Sequence, residues 1–169
     1  MGWTRWGRLV VLRALATNPE DTYALATLAH GHALEQDWAA ARDALTRCAS
    51  LQPDEAATWF NLGYVCERLL CFEEAERAFR QATVLAPKLD QAWYGLATAL
   101  IAQDRLTEAI AVLQVNTRLQ PMSPHGWYQL ARLQVDLGAL DEARAIIARL
   151  RQFEPKVAAQ LERETGLCA

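Results

Sequence analysis

Serine is almost absent from this chain of 169 residues, since only Ser50 and Ser123 occur. The sequence also lacks a glycine-rich phosphate loop, an HExxH pair and a GxSxG turn, which supply the nucleotide, metal and nucleophile sites of many enzymes. Acidic pairs such as Glu73-Glu74 fall at predicted helix starts, where carboxylates complement the helix dipole. The sequence therefore predicts no enzymatic activity, no catalytic residue and no cofactor.

A strong charge of one sign and long apolar runs are missing as well. The 17 basic and 20 acidic residues give a formal net charge of -3. This balance leaves no basic patch for a phosphate backbone, so we expect no nucleic-acid partner. No apolar run approaches the roughly 20 residues that a membrane-spanning helix requires. We therefore predict a cytoplasmic protein that does not span a membrane.

Cysteine and histidine are few, and neither type is clustered. Metal sites usually show CxxC pairs or neighbouring Cys and His, whereas Cys66 and Cys71 are five residues apart. His30 and His32 are two residues apart, so on a helix they point in different directions. Two disulfides, or metal ligation by Cys66 and Cys71, are the alternatives to reduced thiols packed against their neighbours. We predict reduced thiols and no metal at the four cysteines, Cys48, Cys66, Cys71 and Cys168.

Five of the six prolines recur at intervals of 34 residues, at Pro19, Pro53, Pro87, Pro121 and Pro155. Other columns align on the same grid. The first half of each unit carries Leu25, Trp59, Trp93 and Trp127, and three residues later Leu28, Leu62, Leu96 and Leu130. The second half carries Ala41, Ala75, Ala109 and Ala143, and four residues later Leu45, Phe79, Leu113 and Ile147. These spacings predict two amphipathic helices per unit, paired as a hairpin.

Residue size and proline explain how such hairpins pack. Gly63 and Ala75 are small because the two helices of a hairpin approach within about 8 to 10 Å. Pro87 ends a second helix because it lacks an amide proton and disfavours helical geometry in the residue before it. A lone hairpin cannot bury both faces, so successive units must stack on one another.

One unit has W-x2-L-G followed by small and apolar residues and a proline, at Trp59, Leu62, Gly63, Ala75, Phe79, Ala82 and Pro87. This pattern resembles the tetratricopeptide repeat. The resemblance implies an all-helical, right-handed superhelix (an α-solenoid) that forms a single domain over residues 1–169. We expect an N-terminal half-repeat (1–21), four helical hairpins (22–55, 56–89, 90–123, 124–157) and a short C-terminal capping helix (158–169).

In the family that the sequence resembles, the first helices of successive repeats line a concave groove that holds a segment of another protein. The resemblance therefore implies a set of partner-binding residues on these helices: Tyr23, His30, Phe60, Asn61, Tyr64, Arg68, Gln91, Tyr94, Tyr128, Gln129 and Arg132. Aromatic side chains with polar tips are enriched in binding hot spots. An alternative for Phe60, Tyr94 and Tyr128, which recur every 34 residues, is that they fill the junctions between neighbouring first helices.

We interpret the protein as an adaptor or assembly factor that binds a protein or peptide segment. One alternative is an obligate structural subunit of a homodimer or a larger complex. Another is a membrane-peripheral scaffold held by the N-terminal helix, where Trp3, Arg5, Trp6 and Arg8 form a basic amphipathic segment. The same segment matches a second helix of a repeat, which predicts that it packs against the helix that follows.

Overall fold

The structure, a computed structural model, describes residues 5–167, and its side chains are described from Trp6 onward. Within this range the protein forms ten α-helices and no strand, so the all-helical prediction is confirmed. The helices are α1 Arg5–Thr17, α2 Thr22–Leu34, α3 Trp38–Leu51, α4 Ala56–Arg68, α5 Phe72–Leu85, α6 Asp90–Ala102, α7 Leu106–Leu119, α8 Pro124–Asp136, α9 Leu140–Phe153 and α10 Pro155–Thr165.

The helices belong to two compact units, of which the first ends at Ala99 and the second begins at Leu100. In the first unit, α1 packs on α2, α2 on α3, α3 on α4, and α4 on α5. In the second unit, α7 packs on α8, α8 on α9, and α10 contacts both α8 and α9. The pairs α2 with α3, α4 with α5, and α8 with α9 match three of the hairpins that the 34-residue grid predicts. The assignment of residues 1–169 to a single domain with four repeat boundaries stays a prediction.

Helix starts and ends follow from capping residues. Asp21 and Asp37 precede α2 and α3, and their carboxylates accept hydrogen bonds from the backbone N–H of Ala24 and Ala40 at 3.0 and 3.2 Å. Such caps satisfy amide groups that have no partner inside the helix. Near the C-terminus, α10 stops at Gly166, which has a left-handed φ of 70°.

A left-handed residue also recurs in the turn inside each hairpin, at Gln36, Leu70, Asp104 and Gly138, with φ between 59° and 76°. Next to each of these residues, the backbone folds back onto the preceding helix. For example, Cys71 N–H donates to the carbonyl of Cys66 at 2.9 Å, and Ala139 N–H donates to that of Gln134 at 2.8 Å. This is the hydrogen-bond pattern of helix ends that turn through a left-handed residue. Only the last of the four turns uses glycine, which tolerates this conformation best.

These turns give the first prediction. Gly138→Ala should lower the free energy of unfolding by about 1 kcal/mol, because a Cβ disfavours the left-handed conformation. Leu70→Gly should raise it by roughly 0.5 kcal/mol, since the strain relieved exceeds the added freedom of the unfolded state. The Leu70 side chain is 72% exposed, so little packing is lost. Urea denaturation measures both changes, and two shifts of the same sign would contradict the assignment.

The core of the first unit is built around Phe79, whose side chain is fully buried. A Cβ placed on Gly63 would lie 2.7 Å from Phe79 Cδ1, and one on Gly95 would lie 2.5 Å from Phe79 Cζ. Both glycines are therefore required by the size of the ring. At the places that correspond to Gly63 and Phe79, the first repeat carries Ala29 and Leu45. Leucine in the core thus leaves room for alanine on the facing helix, whereas the larger phenylalanine ring requires glycine there.

The tryptophan column is only partly a core column. Leu25 is fully buried, but Trp59, Trp93 and Trp127 are half-buried. The reason is a repeated hydrogen bond. The indole Nε1 of each tryptophan donates to the carbonyl oxygen of the proline six residues earlier, at 2.7 Å for Trp59, 2.9 Å for Trp93 and 3.0 Å for Trp127. Each tryptophan therefore fixes the loop between two hairpins as well as filling space.

Candidate functional site

The predicted residues of the first unit lie on a common surface. We call the exposed side of α2 and α4 the first-helix surface, and it carries Tyr23, His30, Asn61, Tyr64 and Arg68. All five side chains are exposed, and Tyr23 is 82% exposed. Gln91, at the start of α6, is exposed as well. These side chains are therefore available to a ligand.

A pocket of about 170 Å³ opens on the first-helix surface between α2 and α4. Three predicted residues, His30, Asn61 and Tyr64, meet at this pocket. Its remaining lining consists of small or apolar residues, Ala26, Ala29, Ala33, Leu45 and Val65. No acidic side chain lines it. On the α2 side, the lining of the pocket is mostly alanine, whose small side chains leave space beside Tyr64.

An aromatic and cationic strip continues from one side of the pocket. The ring of Tyr64 meets the ring of Trp38 edge to face, with centroids 6.1 Å apart. The guanidinium of Arg68 lies over the Trp38 ring, 5.2 Å from its centroid, so the strip runs from Tyr64 through Trp38 to Arg68. This distance is typical of a cation–π contact. Among residues 5–167, no carboxylate lies within ion-pair distance of Arg68.

Phe60 and Tyr94 differ from these residues because both are half-buried. The ring of Phe60 packs against that of Phe79, with centroids 6.0 Å apart and an interplanar angle of 53°. Part of Phe60 thus packs inside the hairpin of α4 and α5, a contact different from the junction between neighbouring first helices that the alternative describes. A role for either residue in binding a ligand remains a proposal.

In the second unit, Tyr128 of α8 contacts the C-terminal helix α10. The Tyr128 hydroxyl donates to Glu164 Oε2 at 2.6 Å, and Gln160 Nε2 donates to Glu164 Oε1 at 2.8 Å. Hydrogen bonding with Tyr128 lowers the pKa of Glu164 and raises that of Arg132. Gln129 is half-buried. Tyr128 and Arg132 are therefore already engaged within the protein itself, which the sequence did not reveal.

Two larger and more open pockets lie away from the predicted residues. One, of about 580 Å³ in the first unit, is lined by residues that include Trp59, Leu62 and Glu74. The other, of about 430 Å³ in the second unit, is lined by residues that include Trp127, Leu130 and Glu142, which occupy the same repeat positions. The repeat pattern of the chain gave no sign of either pocket. Both lie beside half-buried tryptophans.

The N-terminal helix α1 packs on α2, as predicted, and Arg8 pairs with Glu35 at 3.4 Å. Its other side is apolar and exposed, with Trp6 at 77% and Val10 at 62%. Trp3 lies outside the described residues, and the side chain of Arg5 is likewise outside the description.

The described cysteines, Cys48, Cys66 and Cys71, are free thiols, and Cys168 lies outside the described residues. Burial, followed by the neighbouring Glu74 carboxylate, raises the pKa of Cys66 from 9.0 to about 11. Cys66 therefore stays protonated at neutral pH. Within residues 5–167 no three His, Cys, Asp or Glu side chains are grouped to hold a metal ion. The same residues include no helix long and apolar enough to cross a membrane.

Comparison with known proteins agrees with the repeat pattern. Residues 72–115 match the family model for the tetratricopeptide repeat. The tetratricopeptide repeat-containing protein trd-1 of Caenorhabditis elegans is 33% identical over 97 residues, which are 56% of this chain and 13% of that protein. This chain thus spans only a small part of that relative's length.

Solved structures share the fold at low identity. MamA has a TM-score of 0.85 and 18% identity, over 90% of each chain. YrrB, described as a TPR protein with an unusual peptide-binding site, has a TM-score of 0.76 and 19% identity, over 92% of this chain and 84% of that one. The family model at residues 72–115 and the solenoid fold shared with these structures agree with the tetratricopeptide-repeat resemblance of the sequence.

Proposed function

We propose that this protein is a non-enzymatic adaptor or assembly factor of the cytoplasm, and that it binds a segment of a partner protein on its first-helix surface. The observation that carries the proposal is the pocket between α2 and α4, where His30, Asn61 and Tyr64 meet around small apolar residues. Concave, mostly apolar sites with a few polar groups are the usual form of ligand pockets.

The chemistry of the surface suits a peptide better than a small polar metabolite. Asn61 and His30 offer side-chain hydrogen-bonding groups that can pair with peptide backbone, and Tyr64 adds a rigid aromatic ring with a polar tip. The description of YrrB as having a peptide-binding site supports the same class of ligand by analogy. Within the first unit, Tyr23, Phe60, Gln91 and Tyr94 are proposed to extend the contact. On α8 of the second unit, Tyr128, Gln129 and Arg132 stay proposed partner-binding residues in their own right.

Tyr64→Glu should abolish capture of the partner, because the new carboxylate would lie in an apolar pocket and would lose its hydration when the partner binds. Tyr64 is 46% exposed, so the change in melting temperature should be small. The measurement is affinity capture from lysate with mass spectrometry, comparing wild type and variant as bait.

Val84→Glu is the matched control. Val84 is 72% exposed on α5, away from the first-helix surface, so it adds the same charge without touching the pocket. A partner retained by wild type and Val84→Glu but lost by Tyr64→Glu supports the proposal. A partner that Tyr64→Glu retains contradicts it.

A second candidate function rests on the apolar, exposed side of α1, where Trp6 and Val10 lie. This side could hold a second copy of the protein, as an obligate structural subunit would require, or rest on a membrane surface as a peripheral scaffold. Light scattering of wild type and Trp6→Glu tests self-association. Vesicle flotation of the same two proteins tests membrane binding, and no difference between them in either assay would exclude this candidate.

A further inference from the structure

We infer that the first-helix surface selects segments in which an apolar side chain and a carboxylate lie two residues apart. The pocket between α2 and α4 would take the apolar side chain, and Arg68 would take the carboxylate. This inference rests on the proposed function, because it names the chemistry of the segment that binds at the same surface.

The pocket has the size and lining for one apolar side chain. Its volume is about 170 Å³, and its floor consists of alanine, leucine and valine side chains. An apolar cavity of about 150 Å³ is large enough to hold benzene. A leucine, isoleucine, methionine or phenylalanine side chain therefore fits, and a cationic side chain would find no carboxylate in the lining.

Arg68 is held in place and lacks an anionic partner among the described residues. Its guanidinium lies 5.2 Å from the Trp38 centroid, and Trp38 is in turn fixed against Tyr64. Stacking of this kind leaves the N–H edge of a guanidinium open to hydrogen bonds in its own plane. No carboxylate among residues 5–167 lies within ion-pair distance of it. An exposed, oriented guanidinium of this kind is suited to bind a carboxylate through two parallel hydrogen bonds.

The spacing of Tyr64 and Arg68 along α4 indicates the spacing in the ligand. Arg68 follows the pocket residue Tyr64 by four positions on α4, which is about 6 Å along a helix axis. In an extended peptide, side chains two residues apart point to the same side and lie about 6 to 7 Å apart. A peptide that runs along α4 with an apolar side chain and a carboxylate separated by one residue therefore matches the spacing of Tyr64 and Arg68 on that helix. The carboxylate can come from Asp, from Glu or from the C-terminal residue of a peptide.

Random 12-residue peptides displayed on phage, selected on the immobilised protein, test this inference. One library should present free peptide C-termini and a second should present blocked ones, which separates a terminal carboxylate from a side-chain carboxylate. Selected peptides should share an apolar residue and a carboxylate at this spacing. Synthetic versions should then be compared by fluorescence anisotropy, with the apolar residue changed to Ser, Glu changed to Gln, or the acid moved by one position. Each change should weaken binding by about tenfold or more.

Variants of the protein complete the cycle. Arg68→Gln should weaken binding of the parent peptide by about tenfold. It should leave binding of the Glu-to-Gln peptide unchanged, because the interaction energy belongs to the pair of Arg68 and the peptide glutamate. Ala33→Leu, which fills the pocket, should weaken binding of the parent peptide. It should not weaken binding of the peptide whose apolar residue is changed to Ser. Arg77→Gln, at an exposed position outside the pocket, is the matched control and should have no effect.

The possible failures can be told apart. Selected peptides that lack this pairing, or that bind Arg68→Gln as well as wild type, overturn the inference. If such peptides still fail to bind the Tyr64→Glu variant, the proposed function stands and only the inference about the apolar residue and the carboxylate fails. Selection of no peptide, or only of peptides insensitive to Tyr64→Glu, contradicts both.

Discussion

Replacing Phe79 by alanine should lower the free energy of unfolding by about 4 kcal/mol, within the range measured for large-to-small changes in protein cores. The ring is fully buried and fills the space that Gly63 and Gly95 leave open. Neither glycine has a side chain that could move into the cavity, so the site cannot collapse easily. Urea denaturation followed by circular dichroism measures the loss.

A double-mutant cycle tests the pairing of Phe79 with Gly63 directly. Gly63→Ala alone should lower the free energy of unfolding by about 1 to 3 kcal/mol, because the added Cβ would lie 2.7 Å from Phe79 Cδ1. Adding Phe79→Leu should recover part of that loss and give the second repeat the Ala and Leu pair of the first, Ala29 and Leu45. Strictly additive costs would show that the ring does not require the glycine.

Trp93→Ala should lower the free energy of unfolding by about 3 kcal/mol, the lower end of the range for buried tryptophan, because this side chain is half-buried. Trp93→Phe should cost about 1 kcal/mol, since it keeps most of the ring volume and removes the hydrogen bond from Nε1 to the Pro87 carbonyl. The difference between the unfolding free energies of the two variants separates the contribution of ring packing from that of the hydrogen bond to the loop. Equal costs would mean that the hydrogen bond, and not the ring, accounts for the effect.

The regular part of the fold could be predicted because it depends on local spacing. Apolar residues at intervals of three and four and prolines at intervals of 34 define helices and their ends without knowledge of distant contacts. The left-handed turn residues could not be read in the same way. Gln36, Leu70 and Asp104 have little in common as residue types, and only Gly138 carries the usual signal.

The candidate site was harder to predict because it depends on how side chains from different helices meet. Trp38 shares its repeat position with Phe72, Leu106 and Leu140. Nothing in this set of apolar residues indicates that the Trp38 ring would support the guanidinium of Arg68. The pocket depends on Ala26 and Ala33, and alanine in a helix carries no sign of function. Tyr128 looked equivalent to Tyr94, yet its hydroxyl bonds to Glu164 from α10. Such contacts follow from tertiary packing, which the repeat pattern leaves open.

We propose that the first-helix surface between α2 and α4 binds a segment of another protein. A crystal structure of the protein with a selected peptide would locate that segment. We expect an apolar peptide side chain between Ala33 and Tyr64, with a peptide carboxylate at the guanidinium of Arg68. A peptide seated instead in the open pocket beside Trp59 and Glu74, with the space between α2 and α4 empty, would contradict it.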